Sequence, residues 1–229
     1  WNTGRAKKIK AYVDRMFCIL TFEEDFYKRF DYQVDYVGNP LFDEIRRPQP
    51  DEDFLAKNQL DHKPLIALLP GSRKQEIDRL LDVMLELIPL FPDQQFVLAG
   101  IGNMPSAYYK KALHTEGIKI IYDQTYDLLS HARAAVVTSG TATLETTLFG
   151  VPQVVCYKTS WLTYQLAKLV IKVKFISLVN LIADKLVVRE LIQQDCTPDT
   201  IKQALQPLVA ASEAREQMLQ DYQEIQTLL

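Results

Sequence analysis

The sequence predicts an α/β fold: a parallel sheet with helices on both faces, preceded by the remnant of another α/β domain. Three observations lead there. From Pro64 to Tyr157, short apolar runs alternate with helical segments, the rhythm of strand–helix–strand units. Runs such as Ala134–Thr138 are apolar and β-branched, as in strands buried on both faces. Two of these runs end in small, flexible turns that open directly into a helix, at Pro70–Arg73 and Ser139–Thr141. Ligands of such sheets bind beyond the carboxyl ends of the strands.

The 229 residues suffice for one large domain or two small ones, and 48% hydrophobic with 24% charged residues is ordinary for a globular protein. A net charge of -3 gives no global case for nucleic acid. Cys18, Cys156 and Cys196 are scattered and show no ligand spacing, so buried, reduced thiols are expected. No run reaches the ~18 apolar residues of a membrane span. The chain opens at Trp1 rather than methionine, and an N-terminal portion is expected to be missing.

In chain order, Gly4–Tyr12 is basic with helical period, Met16–Leu20 is strand-like, and Thr21 starts a helix with Glu24 at capping-box spacing. Val34–Val37 is a strand stopped by Gly38-Asn39-Pro40. Residues 1–46 thus form the remnant, and 47–63 form a linker, with the extended polar stretch Arg46-Arg47-Pro48-Gln49-Pro50 at the junction and a short helix over Asp51–Asn58. Residues 64–210 form the main domain. Its strands are Leu65–Leu69, Gln95–Ala99, Ile118–Tyr122, Ala134–Thr138 and Gln153–Tyr157. Helices fall within Gly71–Pro89 and at Ser106–His114, Thr125–His131 and Ala142–Phe149. After Tyr157, Trp161–Val173 reads as an apolar helix and Phe175–Ile182 as irregular. Lys185–Gln194, Pro198–Ala210 and Ser212–Leu229 read as helices, the last packing back on the first domain or swapping to a partner chain.

The two turns carry the chemistry. A helix mouth has unpaired amides and a positive dipole, so it attracts an anion, typically phosphate. Ser139, Gly140 and Thr141 form one such mouth, and Glu145 lies one turn deeper on the same side, where a carboxylate suits the paired hydroxyls of a ribose. In the other turn Gly71 admits a ligand to the backbone, Ser72 supplies a hydroxyl and free amides, Arg73 is a fork-shaped cation and Glu76 orients it. Read singly, Ser139 or Thr141 is equally a plain helix cap, and Arg73–Glu76 a solvated surface pair. Both turns would sit at one edge of the sheet and could share a nucleoside diphosphate. GxxxxGK[ST] and GxGxxG are absent. Gly100-Ile101-Gly102, at a third strand end, could admit a flat ligand but reads rather as a plain loop. Asp51-Glu52-Asp53 imitates a DxD metal site but sits in the polar linker and reads as a solvated acidic turn. His62, His114 and His131 read as surface or satisfied histidines.

Several segments carry a resemblance in order: Trp1 with the basic helix, Phe22-Glu23, Val37–Pro40, Leu69–Arg73 with Glu76, Ser139–Glu145, and Val179–Ala183. Together they resemble the lipid-A-disaccharide synthase family through nearly the whole chain. The resemblance implies the two-domain fold of B-type glycosyltransferases. It implies inverting transfer of 2,3-diacylglucosamine from UDP to 2,3-diacylglucosamine 1-phosphate, giving a β-1,6 lipid disaccharide and UDP without metal or cofactor. It implies UDP contacts from Gly71, Ser72, Arg73, Glu76, Ser139, Gly140, Thr141 and Glu145. Asn180 would be a polar contact near the sugar or phosphate. The family's catalytic base is expected in the missing N-terminal part, so the fragment alone is expected to be inactive. Asn39 stands where many members have histidine, and a neutral amide does not titrate near pH 7. A cytoplasmic protein on the inner face of the bacterial inner membrane is implied, with a dimer favoured. Trp161, Tyr164, Lys168 and Lys172 form an aromatic and basic edge suited to that surface, and equally to a core helix with solvated lysines. The competing readings are a UDP-N-acetylglucosamine 2-epimerase-like enzyme and a non-catalytic nucleotide-sugar binding module.

Overall fold

A computed structural model describes residues 3–46, 51–160, 163–165 and 174–229. Its centre is a six-stranded parallel sheet: β3 (Leu65–Leu69), β4 (Gln95–Gly100), β5 (Ile118–Tyr122), β6 (Ala132–Thr138), β7 (Gln153–Tyr157) and β8 (Arg189–Ile192), in the order β5-β4-β3-β6-β7-β8. Side chains alternate across the strands, so each face has its own core. Ile66, Leu68, Leu98, Ala134 and Val136 point to one face. Leu65, Ala67, Val97, Ala135 and Val137 point to the other, where Phe54, Leu128 and Leu129 cover them.

The main helices follow the apolar periodicity. α5 (Lys74–Leu85) buries Ile77, Leu80, Leu81, Met84 and Leu85, each contributing about 1.5–3 kcal/mol. α7 (Thr125–His131) and α8 (Thr141–Leu148) follow β5 and β6. Ser106–His114 divides into a 3-10 turn at Ser106–Tyr109 and α6 (Lys110–Leu113). The three cysteines are buried and unpaired by disulfide.

Ahead of the sheet, α1 (Thr3–Tyr12), β1 (Phe17–Cys18), α2 (Thr21–Lys28), β2 (Asp35–Tyr36) and α3 (Leu41–Arg46) make a small unit in which β1 and β2 pair in parallel. The start of α2 differs from expectation: Glu23 rather than Glu24 reaches back, accepting from the amides of Ile19 and Leu20 at 3.2 and 3.1 Å. Leu20 is the N-cap, so the third helical position is Glu23. α4 (Phe54–Lys57) seats Phe54 in the core, and Asp51 pairs with Lys57 at 2.7 Å.

Two expectations after Tyr157 are corrected. Phe175–Ile182 is not irregular throughout: it contains α9 (Leu178–Ala183), capped by Ser177. Lys185–Gln194 is not a helix but carries β8, which extends the sheet along β7. The exposed edge of β7 offers unpaired backbone groups, and satisfying that ladder outweighs local helical preference. The expected helix Trp161–Val173 lies outside the described residues except at 163–165. α10 (Pro198–Val209) and α11 (Glu213–Leu228) close the chain. α11 buries Tyr222 and Ile225, and the Leu229 carbonyl accepts from the Tyr36 hydroxyl at 2.8 Å.

Candidate functional site

The strand order creates the site. From β3 the chain moves outward to β4 and β5, then returns to β6 on the other flank of β3. A reversal of this kind opens a crevice at the carboxyl ends of the two central strands. Leu69 and Val137 are register partners at those ends, so the turns that follow them emerge side by side. They border one cavity of about 610 Å³, whose wall includes Gly71, Ser72, Arg73, Glu76, Ser139, Gly140, Thr141 and Glu145.

The first turn departs from expectation. The Ser72 and Arg73 amides are not free. Glu76 Oε2 accepts from them at 3.1 and 3.2 Å, and its Oε1 accepts from Arg73 Nη1 at 2.9 Å. The cause is the acidic residue in the first turn of α5, which reaches back to cap its own helix. Gly71 makes this closure feasible. Its φ is +105°, and a Cβ there would lie 2.4 Å from Glu76 Oε2. What the turn presents to the cavity is the Arg73 side chain, 80% exposed. Guanidinium has five N–H donors in a fork suited to phosphate or carboxylate.

The second turn is the open one. The Ser139 amide donates to the Cys156 carbonyl at 3.1 Å, fixing the turn to β7. The Ser139 hydroxyl donates to the Ile176 carbonyl at 3.0 Å. Its proton is thereby committed within the protein, and the Ser139 oxygen keeps only acceptor capacity toward the cavity. The amides of Gly140, Thr141 and Ala142 have no protein acceptor among the described residues. A Cβ on Gly140 would meet nothing within 4 Å. Open space therefore faces the positive end of α8.

Glu145, one turn into α8, is held differently. Burial first, and the neighbouring Glu44 of α3 second, push its carboxyl above the usual range. The same carboxylates, after burial, help push the Tyr126 phenol up to about 12. Asn180 is the clearest correction. It is fully buried in α9 and absent from the cavity wall. Its Nδ2 donates to the Val188 carbonyl at 2.8 Å and to Glu190 Oε1 at 2.9 Å. Its Oδ1 accepts from the Val187 and Val188 amides at 2.8 and 2.9 Å. All four of its bonding positions are used within the protein.

Of the aromatic and basic edge, Trp161, Lys168 and Lys172 lie outside the described residues. Tyr164 is half-buried and borders a separate cavity with Arg79, Lys158 and Gln193. Sequence reading missed Thr125, Thr138, Ile176 and Leu178 in the main cavity wall. Thr138 alone had a signal, as the last strand residue before Ser139. Ile176 and Leu178 are brought there by α9 from a distant part of the chain.

The family model for lipid-A-disaccharide synthetase matches residues 1–228. The lipid-A-disaccharide synthase of Syntrophus aciditrophicus is 38% identical over 224 residues, covering 94% of this chain and 58% of its own length. That of Coxiella burnetii is 40% identical over 206 residues, covering 88% and 54%. The chain thus spans little more than half the length of these curated relatives. Among solved structures, the UDP-GlcNAc 2-epimerase of Methanocaldococcus jannaschii, in complex with UDP-GlcNAc and UDP, superposes with a TM-score of 0.56 at 14% identity, over 93% of this chain and 60% of that one. The calicheamicin glycosyltransferase CalG4 gives 0.54 at 19%, over 96% and 52%. These likenesses show the fold of B-type glycosyltransferases and related epimerases. No helix among the described residues is long and apolar enough to cross a membrane. Because the family model matches nearly every residue of this chain, the chain belongs to the lipid-A-disaccharide synthase family.

Proposed function

We propose that this chain is the donor half of a lipid-A-disaccharide synthase and that its main cavity binds the UDP of UDP-2,3-diacylglucosamine. The acceptor is 2,3-diacylglucosamine 1-phosphate. Its hydroxyl oxygen bonds to the donor sugar carbon while the bond from that carbon to the diphosphate breaks. The electron pair leaves with UDP, and the hydroxyl proton goes to a base outside this chain. Charge therefore grows on the diphosphate as the bond breaks. The unpartnered amides at the start of α8 and the Arg73 guanidinium are fixed before that happens, which is the efficient way to stabilise it. Glu145 accepts from the ribose hydroxyls. Both acylated substrates are drawn from a membrane surface.

The observation that carries this reading is the pairing of both turns around one cavity at the reversal of strand order. Calorimetric titration with UDP in the presence of EDTA tests it. The chain is expected to bind, and Arg73→Ala to weaken binding by about 10- to 100-fold, the worth of a hydrogen bond to a charged group. Absence of UDP binding, or an Arg73→Ala variant that binds equally well, would overturn it.

A further inference from the structure

Thr138 is the last residue of β6 and is 3% exposed. Alternation along the strand places it in the row of Ala134 and Val136, both fully buried apolar residues. Valine has the same shape as threonine and would complete that row. The hydroxyl is therefore the feature to explain. Its Oγ1 meets no hydrogen-bond partner among the described residues.

Neighbouring threonines do not share this condition. Thr143 Oγ1 donates to the Gly140 carbonyl at 2.8 Å, Thr146 to Ala142 at 2.7 Å and Thr147 to Thr143 at 3.0 Å. Each uses a carbonyl one turn back, in α8 or at its N-cap Gly140, a device that helices provide. An extended strand provides none to Thr138. Its other neighbour group, the Ser139 hydroxyl, is already committed to Ile176. A buried hydroxyl without a partner is costly, and nearly all buried polar atoms avoid that condition. Thr138 nevertheless belongs to the wall of the main cavity, next to the open mouth of α8.

We propose that Thr138 is a ligand-binding residue whose Oγ1–H donates to an oxygen of the diphosphate held between the two turns. The proposal rests on the donor-site reading above and adds a group to it. It carries a double signature. Removing the hydroxyl relieves an unsatisfied polar atom in the free protein and removes a donor from the complex. Stability and binding must move in opposite directions.

The test uses Thr138→Val and Thr138→Ser in this chain, with thermal unfolding of the UDP-free proteins and calorimetric titration with UDP. Thr138→Val is expected to melt about 2–4 °C higher and to bind UDP about 10-fold more weakly. Thr138→Ser keeps the donor and is expected to bind within about 3-fold of the unaltered chain. Unchanged UDP affinity in Thr138→Val would overturn the proposal while the donor-site reading stands. A lower melting temperature in Thr138→Val would also overturn it, since the hydroxyl would then be holding the protein together. If the unaltered chain fails to bind UDP, the donor-site reading falls and takes this proposal with it.

Discussion

Gly71→Ala probes whether the first turn is closed on itself. The native φ of +105° lies where a side chain is strained, at about 1–2 kcal/mol. The new methyl would also lie 2.4 Å from Glu76 Oε2 and 2.8 Å from Glu76 Cβ. The helix fixes that Cβ, so the carboxylate has to leave the Ser72 and Arg73 amides. Because both donors are exposed, water replaces part of what is lost, and the two bonds together add about 1 kcal/mol. The total is about 2–3 kcal/mol, a drop in melting temperature of about 5–10 °C for a chain of this size. Circular dichroism melts would measure it. In a Glu76→Ala background the carboxylate share disappears, so Gly71→Ala should cost about 1 kcal/mol less there. A Gly71→Ala protein melting within about 1 °C of the parent would refute the reasoning. Strict additivity of the two substitutions would refute the carboxylate's part in it.

Two further predictions separate structural from ligand-facing roles. Asn180→Ala should lower stability by about 2–3 kcal/mol, because it strands the buried Val188 amide and takes a donor from Glu190, while the Val187 amide keeps the Lys185 carbonyl; urea unfolding measures this, and a variant of normal stability that has lost UDP binding would return Asn180 to the ligand site. Glu145 has a raised folded pKa, so the protonated form's stabilisation is complete below the ordinary carboxyl range and is lost as pH rises through the raised value. Glu145→Gln should therefore flatten the fall of the urea midpoint as pH rises above the ordinary carboxyl range, and a slope unchanged from the parent would refute the raised carboxyl.

The sheet from β3 to β7 was legible because its strands are apolar runs bounded by turn residues. Burial on both faces leaves that mark in any sequence. β8 left no such mark. Val187, Val188, Leu191 and Ile192 recur with a spacing that a helix also satisfies, and only the edge of β7 makes the segment a strand. Asn180 misled for a related reason. A polar residue in an apolar run reads as ligand-facing until the chain at 187–190 is known to fold over it. At the first turn the residues were right and the pairing was not. Arg73 with Glu76 three residues on fits both an anion-holding turn and a capped helix, and the cap takes the Ser72 and Arg73 amides.

That outcome divides the work of the site between its two halves. The turn after β3 has committed its Ser72 and Arg73 amides to Glu76, so its contribution to an anion is the charge of Arg73. The turn after β6 has no cation, and contributes backbone amides and the dipole of α8. Arg73 is the single cation among the described residues of the cavity wall, against the carboxyl groups of Glu76 and Glu145. Glu76 is already balanced by Arg73 and the amides it caps. Glu145 is pushed toward its neutral form by burial and by Glu44. An anion entering the cavity therefore meets a smaller opposing charge than the residue count implies, and α8 decides where its charge comes to rest.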